Sequence, residues 1–151
     1  MNRSITAVIA AGLAGGAADI LAAFVIYRPA TPIVILQAVA SGLLGKTAFQ
    51  GGLTAAATGL VAHFAIALVF AAIFVATARA APVILRRPLF SGLGFGIVVY
   101  GVMNAIVVPL SLAPPRAAPE PVTVLLGLFA HALFGLALAF TAARLLQKPA
   151  A

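Results

Sequence analysis

Long apolar segments alternate along the chain with connections that hold its basic residues and prolines. A transmembrane helix needs about 20 apolar residues to cross roughly 30 Å of hydrocarbon. Four of the apolar segments reach this length. The pattern therefore predicts four membrane-spanning helices, at residues 4–27, 54–78, 89–109 and 122–143.

The connection between the first two predicted spans, RPATPIVILQAVASGLLGKTAFQGG, contains an apolar run of its own. This run is too short to cross the membrane, so it predicts an interfacial or re-entrant helix at about residues 32–45. The expected fold class is all-α. We expect one transmembrane domain over residues 1–151, built as a four-helix bundle with this short helix on its outer side.

The composition leaves no room for a separate soluble domain. Of the 151 residues, 64% are hydrophobic and 7% are charged, whereas soluble domains carry about 25% charged residues. The lipid bilayer is thus the first expected partner. The chain has no cysteine, which excludes disulfides and thiolate metal sites.

A net charge of +7 could suggest nucleic-acid binding, but the basic residues lie at the ends of the apolar segments rather than in one patch. No nucleic-acid partner is therefore expected. Most of these residues fall at one end of the predicted bundle, and the positive-inside rule then places both termini in the cytoplasm. The basic residues expected at the cytoplasmic end are Arg3, Arg79, Arg86, Arg87, Arg144 and Lys148, and those expected at the opposite end are Arg28, Lys46 and Arg116.

Two segments with a histidine in the same place, GLVAHFAIAL at 59–68 and GLFAHALFGL at 127–136, indicate an internal repeat. Residues of the first span also recur 80 positions later in the third. Both copies run in the same direction, so we expect two tandem helix hairpins related by a pseudo-two-fold axis along the membrane normal. The recurring residues are Gly12, Leu13, Gly16, Ile26 and Pro29, matched by Gly92, Leu93, Gly96, Ile106 and Pro109.

Glycines at four-residue spacing predict faces on which two helices approach closely. In lipid the hydrophobic effect no longer drives association, and small residues let helix backbones touch. We expect the stripes on the first and third spans to be exposed and to serve association with other subunits. The predicted packing glycines are Gly12, Gly16, Gly59, Gly92, Gly96, Gly127 and Gly135.

Three ionisable residues interrupt the apolar spans: Asp19, His63 and His131. Counting the rise of a helix, each lies on the order of 15 Å from the outer end of its span. We group Asn104 with them as an uncharged polar residue of the third span. Ionisable groups inside a membrane are costly, which makes them candidates for function.

Several interpretations of this polar group are open. Each histidine can hydrogen-bond a neighbouring helix and tighten packing. Asp19 and one histidine can form a proton-exchanging pair, because imidazole titrates near neutral pH. Both histidines can ligate one haem iron, or join Asp19 around a divalent metal. None of these has a diagnostic spacing, so no metal site and no cofactor are predicted.

The run VVPLSLAPP at 107–115, the later GLFAH at 127–131 and the pair His63-Phe64 resemble the YagU-like family of four-helix bacterial inner-membrane proteins. The likeness covers about the last two-thirds of the chain. It implies a multi-pass protein of the bacterial inner membrane. The resemblance implies no particular activity, because none is established for the family.

Nucleophilic catalysis is not expected, because Ser41, Ser91 and Ser111 lack a G-x-S-x-G context and the chain has only two acidic residues. The sequence predicts a non-enzymatic accessory or scaffold subunit, acting as a homo-oligomer or within a larger membrane complex. The alternative is a proton-linked transporter or channel component that uses the ionisable residues of the spans.

Overall fold

The computed structural model describes residues 2–115 and 118–147, and across these ranges the chain is helical without a strand. The helices are α1 (Arg3–Ile26), α2 (Pro32–Leu44), α3 (Gly52–Ala80), α4 (Val83–Arg86), α5 (Pro88–Val102) and α6 (Pro121–Leu146). A 3-10 segment, Gly45–Gln50, follows α2, and a π-helical segment, Met103–Val107, continues α5. The predicted all-α class is confirmed.

Five segments, rather than the four predicted, are long and apolar enough to cross a membrane. Four of them are α1, α3, α6 and α5 with its π-helical extension, and they coincide closely with the predicted spans. The fifth is Pro32–Gln50, which joins α2 to the 3-10 segment. The extra segment arises because the 3-10 turn lengthens a helix whose α-helical part has 13 residues.

The starts of the helices follow from local chemistry. Asn2 caps α1 by accepting a hydrogen bond from the backbone N–H of Ser4 at 3.0 Å, and Thr31 caps α2 in the same way. Asparagine and threonine oxygens satisfy backbone donors that have no partner in the first turn. Helices α5 and α6 begin with Pro88 and Pro121, whose missing N–H costs nothing at that position.

The long helices pack side by side in the order α3, α1, α6, α5. Helix α1 packs against both α3 and α6, and α5 packs against α6. Between α3 and α5 the contact is made by aromatic side chains, because Phe70 and Phe74 of α3 meet Phe95 of α5 edge to face, with ring centroids 6.4 and 5.1 Å apart. The side between α3 and α5 is thus wider than the other three.

Glycines set the close contacts inside this bundle. A Cβ at Gly12 of α1 would lie 2.8 Å from Leu68 of α3, and one at Gly92 of α5 would lie 2.8 Å from the carbonyl oxygen of Gly135 in α6. A Cβ at Gly96 would overlap the carbonyl oxygen of His131. All seven glycines predicted to serve packing are buried.

The stripes on the first and third spans are therefore not exposed, contrary to expectation. Gly12 and Gly16 face α3, while Gly92 and Gly96 face α6. The small-residue pattern is the same whether the neighbouring helix belongs to the same chain or to another subunit, which explains the error.

Helix α2 lies across α3 with both of its ends at one end of the bundle. The first residue of α2 follows the end of α1 after a turn at 27–31. Near the last residues of α2, the carbonyl of Gly42 accepts a hydrogen bond from the backbone N–H of Leu112, which follows α5 at the same end of the bundle. In between, buried Gln37 donates to the carbonyl of Gly52 at 3.0 Å. A Cβ at Gly59 would overlap the carbonyl oxygen of Leu36, so only glycine permits this crossing.

The two ends of the bundle differ in charge. We call the end that carries the N-terminus of α1 the arginine-rich end; there Arg79 donates to the hydroxyl of Ser4. Arg28 and Lys46 lie at the opposite end. Arg116 and Lys148 lie outside the described residues. The arginine-rich end holds Arg3, Arg79, Arg86, Arg87 and Arg144.

Two glycines of α5 give a matched test of this packing. We expect Gly96→Ala to destabilise the detergent-solubilised protein by about 1–3 kcal/mol, since the added methyl group would overlap the backbone of α6. Gly94→Ala should change stability by less than about 0.5 kcal/mol, since no atom lies within 4 Å of a Cβ there. Unfolding in a denaturing detergent measures both, and equal losses would contradict the packing of α5 on α6.

Candidate functional site

The structure brings two of the predicted ionisable residues together. The carboxylate Oδ1 of Asp19 on α1 lies 3.7 Å from the Nδ1 of His131 on α6. His63 of α3 lies at nearly the same level, because its Nε2 is 2.9 Å from the carbonyl oxygen of Gly16, one turn from Asp19. The two histidines thus contact α1 from its two packed neighbours.

The hydrogen bonds of the two rings assign their protons. The Nδ1 of His131 lies 2.9 Å from the carbonyl oxygen of Gly127. A carbonyl oxygen only accepts, so this nitrogen carries the hydrogen and the Nε2 of the neutral ring has the free lone pair. In His63 the order is reversed: Nε2 donates to Gly16 and Nδ1 has the lone pair.

Asp19 has a buried polar atom that is left without a hydrogen bond. Its Oδ1 is buried and has no hydrogen-bond partner among the described residues. The 3.7 Å separation from His131 is too long for a hydrogen bond. A buried oxygen without a donor costs about 1–3 kcal/mol. Proton uptake by Asp19, or protonation of His131 with a shorter contact, would remove this cost.

Aromatic rings flank both histidines. The ring of Tyr100 on α5 meets His131 edge to face with centroids 5.3 Å apart, and Phe64 stands in the same relation to His63 at 5.3 Å. A Cβ at Gly127 would lie 2.8 Å from the Tyr100 ring, so this glycine makes room for it. These rings surround the imidazoles with apolar surface, which strengthens electrostatic interactions nearby.

The contact between Tyr100 and His131 was not predicted from the sequence. A signal was present: Tyr100 follows Gly92 and Gly96 at four-residue steps, so it lies on the face of α5 that meets α6.

Asn104, which we had grouped with the ionisable residues, does not join them. It lies in the π-helical segment, is exposed, and donates to the carbonyl of Tyr100 in its own helix at 2.9 Å. Its amide hydrogen bond is thus made within its own helix.

The arrangement of the histidines favours neither the haem nor the metal interpretation. No group of three His, Cys, Asp or Glu side chains is placed to hold a metal ion within the described part of the chain. Haem ligation by two histidines needs both rings on one iron. Here each ring directs a nitrogen to a different backbone carbonyl, and the Nε2 of His63 is already bonded to Gly16.

Comparison with known protein families, curated proteins and solved structures finds no match. The resemblance to the YagU-like family therefore stays a prediction, and the site is interpreted from its own geometry.

The pairing of Asp19 with His131 can be tested by a double-mutant cycle. We expect Asp19→Asn and His131→Gln to show a coupling energy of about 0.5–3 kcal/mol in unfolding experiments, because the two side chains face each other. The matched cycle of Asp19→Asn with His63→Gln should give a coupling near zero. Equal coupling energies in the two cycles would show that Asp19 interacts no more strongly with His131 than with His63.

Proposed function

We propose that this protein is a proton-linked transporter or channel component of the membrane, in which Asp19 and His131 form the proton-exchanging pair. The observation that carries the proposal is the buried Oδ1 of Asp19, which has no donor among the described residues and lies 3.7 Å from His131. Inside a membrane such a carboxylate is costly unless it binds a proton or meets a cation.

The packing interpretation accounts for His63 but not for Asp19. The Nε2 of His63 is bonded to the carbonyl of Gly16, as expected for a side chain that serves packing. Asp19 instead has a buried oxygen without a donor, and this oxygen lies beside the imidazole of His131. This supports a cycle in which the carboxylate gains a proton in one step and gives it up in another.

The proposed topology has four spans, with α2 as a re-entrant or interfacial helix. Its 13 residues measure about 20 Å, less than the hydrocarbon thickness. Contacts hold both ends of α2 at the end of the bundle opposite the arginines. The positive-inside rule assigns the arginine-rich end, and with it both termini, to the cytoplasm. The resemblance to the YagU-like family suggests the inner membrane of a bacterium.

Equivalent contacts in the two hairpins support the tandem repeat. Gly12 of α1 packs on Leu68 and Ala71 of α3. Adding 80 to the residue number in α1 and 68 to those in α3 gives Gly92, Leu136 and Ala139. In the structure Gly92 does pack on Leu136 and Ala139 of α6. The position equivalent to Asp19 is the buried apolar Val99. The repeat thus holds one carboxylate and not two, which supports one proton-binding pair per chain.

Proton flux in vesicles tests the proposal. We expect the reconstituted protein to move protons under an imposed membrane potential, read by a pH-sensitive dye inside the vesicles. Asp19→Asn should reduce the flux to that of protein-free vesicles, because an amide cannot exchange the proton. Glu120→Gln is the matched control, since Glu120 is the other acidic residue of the chain and precedes α6 at its exposed start. Wild-type flux in the Asp19 variant would remove the proposal.

A second candidate function, an accessory subunit of a homo-oligomer or larger membrane complex, is favoured by the outward face of α5. No atom lies within 4 Å of a Cβ built at Gly94 or Gly101, so these glycines serve no close packing contact in the described structure. Asn104 is also exposed, one turn beyond Gly101. A polar amide beside small residues suits a contact between spans of different chains.

The oligomeric state in a mild detergent separates the two candidates. If α5 mediates association, Gly101→Leu should convert a dimer or larger assembly to monomer, because the new side chain holds the partner helix away. Ala57→Leu adds the same bulk at an exposed position of α3 and should leave the assembly intact. A wild-type protein that is entirely monomeric by light scattering would remove the accessory-subunit candidate.

A further inference from the structure

An open groove lies at the arginine-rich end, between α4 and the last turn of α6. Its walls are formed by Pro82, Leu85, Arg86, Leu146 and Gln147. The amide of Gln147 donates to the carbonyl of Leu85 and so fixes the end of α6 on α4. The groove therefore joins an apolar wall to an exposed guanidinium at the edge of the bundle.

We propose that this groove binds the head group of an anionic phospholipid. The phosphate would lie against Arg86, and the acyl chains would follow the apolar wall toward the membrane core. Arginine presents several N–H donors in a planar fork that matches phosphate oxygens. Basic pockets between transmembrane helices on the cytoplasmic side are suited to such head groups.

Among the described residues, no carboxylate side chain lies at this end to balance its arginines. The chain holds only two acidic residues: Asp19 lies beside His131 inside the bundle, and Glu120 precedes α6 at the opposite end. Arg79 donates to the neutral hydroxyl of Ser4. An external anion is thus the available counter-charge for the arginines of this end.

A lipid fits the groove better than a free anion does. Pro82, Leu85 and Leu146 give the site an apolar side that an inorganic phosphate would not contact. The groove also lies where helices α4 and α6 end, at the level at which spans leave the hydrocarbon in the proposed topology. The inference does not depend on proton transfer by Asp19.

Lipid adducts counted by native mass spectrometry test the proposal on the full chain. The probes are phosphatidylglycerol and phosphatidylcholine with the same acyl chains. We expect the wild-type protein to retain phosphatidylglycerol preferentially, and Arg86→Gln to weaken this preference about fivefold. Arg87→Gln is the matched control, because it removes the same charge from the next residue, which does not line the groove.

Three results would overturn the proposal. Equal retention of the two lipids by the wild-type protein would show no head-group selection. Equal losses in the Arg86 and Arg87 variants would show attraction to the charged surface as a whole. Displacement of the lipid by glycerol phosphate as efficiently as by intact phosphatidylglycerol would show a site for a soluble anion. An unchanged thermal unfolding temperature for Arg86→Gln confirms that the variant is folded.

Discussion

The structure depends on contact between helix backbones, made possible by glycine. Within a membrane the hydrophobic effect does not hold helices together, so their association relies on close packing and on the few polar contacts that packing allows. Gly96 of α5 lies on the carbonyl of His131, and Gly15 of α1 lies on Phe134, one turn further along α6. The same contacts that hold the bundle together therefore bring His131 beside Asp19.

The bundle is not equally tight on all sides, and the residues that line each side differ in size. In the proposed alignment of the two hairpins, Phe70 and Phe74 of α3 correspond to Leu138 and Ala142 of α6, and Phe95 of α5 corresponds to Gly15 of α1. Smaller residues thus line the side where α1 meets α6, and phenyl rings line the side where α3 meets α5. The carboxylate of Asp19 lies on the side lined by the smaller residues, between α1 and α6.

The sequence was sufficient to predict the helical class, the positions of the long helices and the common depth of Asp19, His63 and His131. Apolar length and the fixed rise of a helix determine these features. The rotation of each helix about its axis was not predictable, because nearly every face is apolar. For this reason the choice of His131 over His63 as the partner of Asp19, and the inward direction of the glycine stripes, required the structure. The departure of Asn104 from the polar group follows from a π-turn, which has no signal in the sequence.

The bond between His131 and Gly127 gives the imidazole a direction. Because Nδ1 holds its hydrogen on the Gly127 carbonyl, an incoming proton can be accepted only at Nε2. In the proposed proton pathway, release toward Asp19 would take place from Nδ1, the nitrogen that faces the carboxylate. After one transfer the ring would carry its hydrogen on Nε2, and it would have to exchange tautomers or rotate before passing on another proton. The bond to a single backbone carbonyl thus sets which nitrogen accepts and which releases, and the ring needs a reset between successive protons.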